Sequence, residues 1–88
     1  MSKRQEAISK EIAKILSKYF LQDYPDAIVT VFDVVISEDL QRAKVWLKVI
    51  GDRKIFDTIS KKKDRYRFLT AHSLKLKNAP YLEFIFEI

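Results

Sequence analysis

The stretch from Arg42 to Ile50 constrains the fold of this chain more than any other, because its side chains alternate strictly in character. Every second position carries a small or medium apolar side chain: Ala43, Val45, Leu47 and Val49. The positions between them carry charged or aromatic side chains: Arg42, Lys44, Trp46 and Lys48. This period of two predicts a β-strand with one buried and one open face. Other elements must then cover one side of its sheet.

Two more segments have the composition of strands. Residues 28–36 are rich in Val, Ile, Thr and Phe, and a short turn at residues 37–41 links them to Arg42. So short a connection predicts an antiparallel hairpin. Residues 81–88 form the third predicted strand, in which two faces again alternate. One face carries Leu82, Phe84, Phe86 and Ile88, and the other carries Tyr81, Glu83, Ile85 and Glu87.

Helical spacing marks the remaining segments. Residues 3–21 form the first predicted helix, with Ser2 as its N-cap and Gln5 at the capping-box position. Its apolar face comprises Ile8, Ile12, Ile15, Leu16, Tyr19 and Phe20, and Lys10, Lys14 and Lys18 form a solvated stripe opposite. Residues 53–76 are predicted to be mainly helical, as two short helices or one kinked helix meeting near Lys63, with Asp64 as an N-cap. The second of these carries Tyr66, Phe68, Leu69 and Leu74.

These elements define one topology. Their order is α-β-β-α-α-β, and a helical crossover returns the last strand parallel to the second. We therefore predict an α+β fold over residues 1–88 as a single domain, with a three-stranded mixed sheet covered by helices on one face. Val45, Leu47, Phe84 and Phe86 should be buried beneath the helices. Lys44 and Lys48 should lie on the open face, opposite Glu83 and Glu87.

Composition excludes several kinds of chemistry. The 88 residues contain no cysteine, one histidine and one glycine. Disulfides, thiol catalysis, thiolate metal sites and Gly-rich phosphate loops are therefore excluded, and we expect neither metal nor cofactor. His72 alone makes no catalytic set, so an enzyme is disfavoured. No apolar run reaches membrane-spanning length and the N-terminus lacks a signal-peptide core, so a soluble cytoplasmic protein is expected.

The charge is concentrated in one part of the chain. The net charge is +5, but residues 42–77 hold twelve basic and three acidic side chains, a local excess of +9. A small domain whose positive charge is this unevenly distributed is expected to attract a polyanion such as a nucleic acid. The alternative is that these lysines only keep the surface soluble. The candidate RNA-binding residues are Lys61, Lys62, Lys63, Arg65, Arg67, Lys75, Lys77, Lys44 and Lys48.

The element order is that of type II KH-like domains, and the sequence resembles the bacterial ribosome-binding factor A family. Residues 37–47 read Ser-Glu-Asp-Leu-Gln-Arg-Ala-Lys-Val-Trp-Leu, which is similar to the hairpin signature of that family. Residues 8–16 resemble its first helix, and residues 66–69 and 74–84 resemble its last helix and strand. Together these stretches cover most of the chain in the family's order.

The resemblance implies a function. Family members bind the free 30S subunit, assist late maturation and processing of its 16S rRNA, matter most during cold growth and are not enzymes. A cytoplasmic monomer without membrane partners is expected. The family usually has an Ala-x-Gly kink between the two later helices, where this chain has Lys62, Lys63 and Asp64. Many members extend beyond the last strand, whereas this sequence stops at Ile88, so contacts made by such a tail are expected to be absent.

Three alternatives stay open at this point. Trp46 either stacks on a base between Lys44 and Lys48 or packs on the sheet against Tyr81 or Ile85. Residues 61–63 either bind phosphates or form a solvated loop. A KH-like domain is also suited to a second function, a protein-interaction module that uses the open sheet face or the edge of the last strand.

Overall fold

The computed structural model describes residues 1–87 and shows helices packed on one face of a three-stranded sheet. The elements in chain order are α1 (Lys3–Asp23), β1 (Ile28–Ile36), β2 (Arg42–Ile50), α2 (Lys54–Lys61), α3 (Lys63–Leu74) and β3 (Tyr81–Glu87). The predicted order, and the two separate later helices, are confirmed. The placement of Ile88 in the last strand lies outside the described residues.

The sheet has the predicted topology. β2 is central, antiparallel to β1 and parallel to β3. The register sets Trp46 opposite Ile85, with Lys44 opposite Glu83 and Lys48 opposite Glu87. A bulge in β1 shifts the register between Val31 and Asp33. The bulge reverses the alternation, so side chains on both sides of it reach the helix-covered face.

Helix α1 is anchored to the sheet by its own cap. Ser2 and Gln5 form the predicted capping box, and the Gln5 side-chain amide also donates to the Ile36 carbonyl at 2.9 Å. The start of α1 is therefore tied to the end of β1. Ile12, Leu16 and Phe20 point into the core, while the predicted lysine stripe on the opposite side of α1 is exposed.

The two later helices differ in detail from the prediction. The N-cap of α3 is Lys62, which makes no side-chain capping bond, so the assignment of Asp64 as the N-cap is wrong. Asp64 lies instead in the first turn, where the positive end of the helix dipole favours a carboxylate. Helix α3 also ends at Leu74, two residues earlier than predicted, because Lys75 adopts a left-handed conformation with φ of 55°.

The core is centred on β2. Val45 and Leu47 are fully buried, as predicted. Phe84 and Phe86 pack against this core but are only partly buried, so the prediction that all four residues are largely buried holds less fully for β3 than for β2. The reason is that β3 is an edge strand, and solvent reaches its core-facing side chains from the open edge of the sheet.

Replacing Lys75 with glycine should stabilise the fold. The left-handed turn is held by bonds from the Lys75 N–H to the His72 carbonyl (3.2 Å) and from the Leu76 N–H to the Ala71 carbonyl (3.0 Å). A non-glycine residue in the left-handed conformation costs about 1–2 kcal/mol of stability, and glycine removes this cost. Glycine also loses more conformational entropy on folding, which offsets about 0.5–1 kcal/mol of the gain. Urea denaturation should therefore show a gain of up to about 1 kcal/mol for Lys75→Gly. Lys77→Gly is the control, since Lys77 has no positive φ, and equal effects of the two changes would contradict the assignment.

Candidate nucleic-acid interface

The structure divides the nine predicted RNA-binding residues among three places. The first is the junction between α2 and α3, the second is α3 together with the segment that leads to β3, and the third is the open sheet face. The junction holds Lys61, Lys62, Lys63 and Arg65; the second place holds Arg67, in the first half of α3, and Lys75 and Lys77, beyond its end; the sheet face holds Lys44 and Lys48. The twelve residues of α3 span about 18 Å, which separates the junction from Lys75 and Lys77 but not from Arg67.

At the junction, a rigid backbone turn presents three adjacent lysines. The Lys62 N–H donates to the carbonyls of Thr58 and Ile59, both at 3.1 Å, and the Lys62 carbonyl accepts from the Tyr66 N–H at 3.2 Å. Lys62 is therefore both the C-cap of α2 and the N-cap of α3. Lys61, Lys62 and Lys63 are all exposed. Helix α3 has no side-chain cap, so the first N–H groups of that helix lack a side-chain acceptor at the same end as the lysines.

A buried polar group fixes the junction to α1. Tyr66 is fully buried, and its hydroxyl donates to Asp23 Oδ2 at 2.8 Å and lies 3.3 Å from the Tyr24 hydroxyl. Arg65 Nη2 approaches Asp23 Oδ1 at 3.3 Å. Arg65, predicted as an RNA-binding residue, is thus paired with a carboxylate within the protein. This pair ties the start of α3 to the end of α1.

The buried hydroxyl of Tyr66 predicts that the folded protein loses stability at alkaline pH. Burial, together with hydrogen bonds to Tyr24 and Asp23, raises the pKa of Tyr66 above its ordinary value. A raised pKa stabilises the fold below the unfolded value of about 10, and this contribution is lost as pH rises beyond it. Tyr66→Phe should cost about 1 kcal/mol near neutral pH, and its difference from the wild type should shrink above about pH 10. Urea denaturation of both proteins across this range tests the point, and a constant difference would contradict it.

In the first half of α3, Arg67 is held by the protein itself. Its guanidinium carbon lies 3.8 Å from the centroid of the Tyr81 ring, and Nε donates to the Ala79 carbonyl at 3.2 Å. Arg67 is half-buried, whereas Lys75 and Lys77 are exposed. Of these three residues, the two lysines are therefore the ones free to neutralise phosphates.

The open sheet face is nearly balanced in charge. Lys44 and Lys48 are exposed there, and each faces a glutamate of β3 in the parallel register. Trp46 lies between them, half-buried and opposite Ile85, an arrangement that favours packing on the sheet over base stacking. Because alternation directs these side chains away from the helices, the structure does not bring them together with the junction lysines.

One aromatic residue of α3 lies on the solvent side of the helix. The sequence predicts Tyr66 and Phe68 on the same helix without assigning their faces, and in the structure Tyr66 is buried whereas Phe68 is 60% exposed. The spacing explains the difference, since residues two apart on a helix point in nearly opposite directions. The basic residues that follow, Lys75 and Lys77, lie beside it in space.

The described residues lack the features of two other protein classes. No three His, Asp or Glu side chains within residues 1–87 are grouped so that they would hold a metal ion. None of the helices in this part of the chain combines the length and apolar character that crossing a membrane requires.

Comparison with known proteins identifies the family. A sequence model described as Ribosome-binding factor A matches residues 1–87. This chain belongs to the ribosome-binding factor A family. Ribosome-binding factor A of Akkermansia muciniphila is 31% identical over an alignment of 85 positions that covers 93% of this chain and 66% of that protein. The protein of the same name from Syntrophomonas wolfei is 31% identical over an alignment of 94 positions, gaps included, that covers 96% of this chain and 77% of that protein.

Solved structures of ribosome-binding factor A share the fold. The crystal structure of the Thermus thermophilus protein superposes with a TM-score of 0.77 at 19% identity, covering 92% of this chain and 93% of that chain. A solution structure from Thermotoga maritima gives a TM-score of 0.75 at 26% identity, covering 97% of this chain and 88% of that chain. A homology model of Thermus thermophilus ribosome-binding factor A, fitted into a cryo-EM map of a 30S complex, gives a TM-score of 0.71 at 18% identity. The match covers 97% of this chain and 92% of that chain.

Proposed function

We propose that this protein is a ribosome assembly factor that binds the free small ribosomal subunit through its 16S rRNA. The observation that carries the proposal is the exposed triplet Lys61, Lys62 and Lys63 on a rigid junction in a chain of this family. The Thermus thermophilus relative fitted into a 30S complex supports the choice of partner.

The chemistry of the junction suits a phosphate backbone. Three adjacent ammonium groups neutralise phosphates and release their counterions, which supplies most of the affinity for a polyanion. The triplet overlaps the position where the family usually has its Ala-x-Gly kink, so the chain uses charge where relatives use small residues. The bonds around Lys62 hold the turn without glycine, and the backbone that carries the lysines is therefore ordered before RNA binds.

The finer role that we propose is assistance in late maturation and processing of 16S rRNA, with the greatest need during cold growth. The protein acts by binding and positioning rRNA, as a monomer in the cytoplasm, without a cofactor or a catalytic step. A factor that holds one rRNA conformation shifts the folding equilibrium by its differential affinity alone. Such help is worth most where misfolded RNA escapes slowly, as it does at low temperature.

Sedimentation of cell extract with detection of this protein tests the proposal. Co-migration with free small subunits, and not with assembled ribosomes, is the expected result. Raising the salt concentration should release the protein steeply, because phosphate contacts are screened. Migration at the top of the gradient at low salt, or with assembled ribosomes, would overturn the proposal.

A protein-interaction module is the second candidate function. The open sheet face carries Ile28 and Ile50 opposite each other, each 59% exposed. Such apolar exposure is a feature of protein-binding surfaces. Binding through this face should depend weakly on salt, so the same gradients at several salt concentrations separate the two candidates.

A further inference from the structure

A groove beside α3 combines an exposed aromatic ring with basic side chains. Its walls come from Phe68, Ala71 and His72 of α3, and from Lys75, Lys77 and Ala79 of the segment that leads to β3. We call this the Phe68 groove; its volume is about 510 Å³. None of these lining residues, all within residues 1–87, carries a carboxylate.

The aromatic ring is displayed without support from the core. Phe68 is 60% exposed and Tyr81 is 59% exposed, and the guanidinium carbon of Arg67 lies 5.4 Å from the first ring centroid and 3.8 Å from the second. Arg67 is fixed in turn by its bond to the Ala79 carbonyl. These contacts hold Arg67 beside the Phe68 ring before any ligand arrives, so less entropy is lost on binding.

Backbone strain lies at the end of the molecule that carries the Phe68 groove. The two non-glycine residues with positive φ within residues 1–87 are Leu40 and Lys75. Leu40 is adjacent to Gln41, whose carbonyl accepts the Tyr81 N–H at 2.8 Å, and Lys75 lines the Phe68 groove. Strained residues tend to lie at functional sites, where the strain positions a side chain or a loop. The left-handed turn at Lys75 returns the chain toward β3 and forms one wall of the groove.

We infer that the Phe68 groove binds an unpaired RNA base, which stacks on Phe68 while Lys75 and Lys77 neutralise the flanking phosphates. A protein side chain would also fit an aromatic groove, but two lysines without a carboxylate favour a polyanion. Stacking on an aromatic ring needs a base outside a helix, so the ligand is a single-stranded segment. The inference rests on the proposed function, and it extends that function from the junction lysines to a second site that begins at Phe68, about 9 Å along α3 from Lys62.

The test uses the whole protein and a single-stranded oligouridylate, with a blunt RNA duplex of equal charge for comparison. His72 is the only histidine and lines the groove, so its ring signals in NMR report directly on a base bound there. They should shift with the oligouridylate and not with the duplex. Phe68→Ala and Phe68→Leu should both weaken oligouridylate binding, by roughly 5- to 150-fold, because leucine retains apolar bulk but not the flat ring.

One control variant and one further test variant make the result decisive. Phe32→Ala removes another exposed aromatic residue, 48% exposed in β1, and should leave oligouridylate binding unchanged. Lys75→Gly should lower the magnitude of the log K against log salt slope by about 0.7, although it stabilises the fold. If Phe68→Leu binds like the wild type, or if the duplex binds equally and shifts His72, the stacking inference is wrong. Co-migration of the wild type with small subunits in that case would leave the proposed function standing.

Discussion

Replacement of Phe20 by alanine should lower the free energy of unfolding by about 3–5 kcal/mol, a large share of the 5–15 kcal/mol typical of a domain. The Phe20 ring is 1% exposed, and its centroid lies 4.9 Å from that of Tyr66 and 6.1 Å from that of Phe84. It therefore joins α1, α3 and β3 in one contact. Equilibrium urea denaturation with an unchanged m-value is the measurement.

Two further phenylalanines provide matched controls for that prediction. Phe84→Ala should cost clearly less than Phe20→Ala, because Phe84 is half-buried at the sheet edge. Phe68→Ala should cost little, since its ring is mostly in solvent and exposed substitutions seldom exceed about 0.5 kcal/mol. A loss for Phe68→Ala as large as that for Phe20→Ala would mean that α3 presents the opposite face to the core.

The regular parts of this fold were predictable because they follow from local patterns. The alternation in Arg42–Ile50 identified the central strand, and the capping box of Ser2 and Gln5 identified the start of α1. The irregular parts were not. The bulge between Val31 and Asp33 depends on pairing with a strand that lies later in the chain. The left-handed Lys75 was missed because nothing local requires it, and glycine is the residue expected there.

The candidate site was predictable in charge but not in geometry. The density of lysines around Lys62 is visible in the sequence, and so is a break between two helices. The pairing of Arg65 with Asp23 spans 42 positions, so composition and spacing do not reveal that this arginine has a partner. Phe68 was missed for a related reason, because only the packing direction of α3 shows which of its aromatic residues faces solvent.

The junction lysines should dominate the salt dependence of binding to small subunits. Replacing Lys61, Lys62 and Lys63 together by alanine should lower the magnitude of the log K against log salt slope by about 2–3, because each lysine that neutralises a phosphate contributes about 0.7–0.9. Affinity at low salt should fall strongly. The fold should survive, since all three side chains are exposed and charges in water contribute little to stability. Circular dichroism during thermal unfolding checks this, and binding of purified small subunits across a salt series measures the slope.

The matched control is the triple change of Lys10, Lys14 and Lys18 to alanine. It removes the same charge from another exposed helical surface, where Lys14 pairs with Glu11 at 3.5 Å. If this variant loses as much affinity as the junction variant, only net charge matters and the junction is not the site. If it loses more, α1 faces the RNA and the junction is a solvated loop. A larger loss for the junction variant, with a slope that falls only for that variant, assigns the phosphate contacts to the turn at Lys62, because the two proteins then differ in where the charge was removed and not in how much.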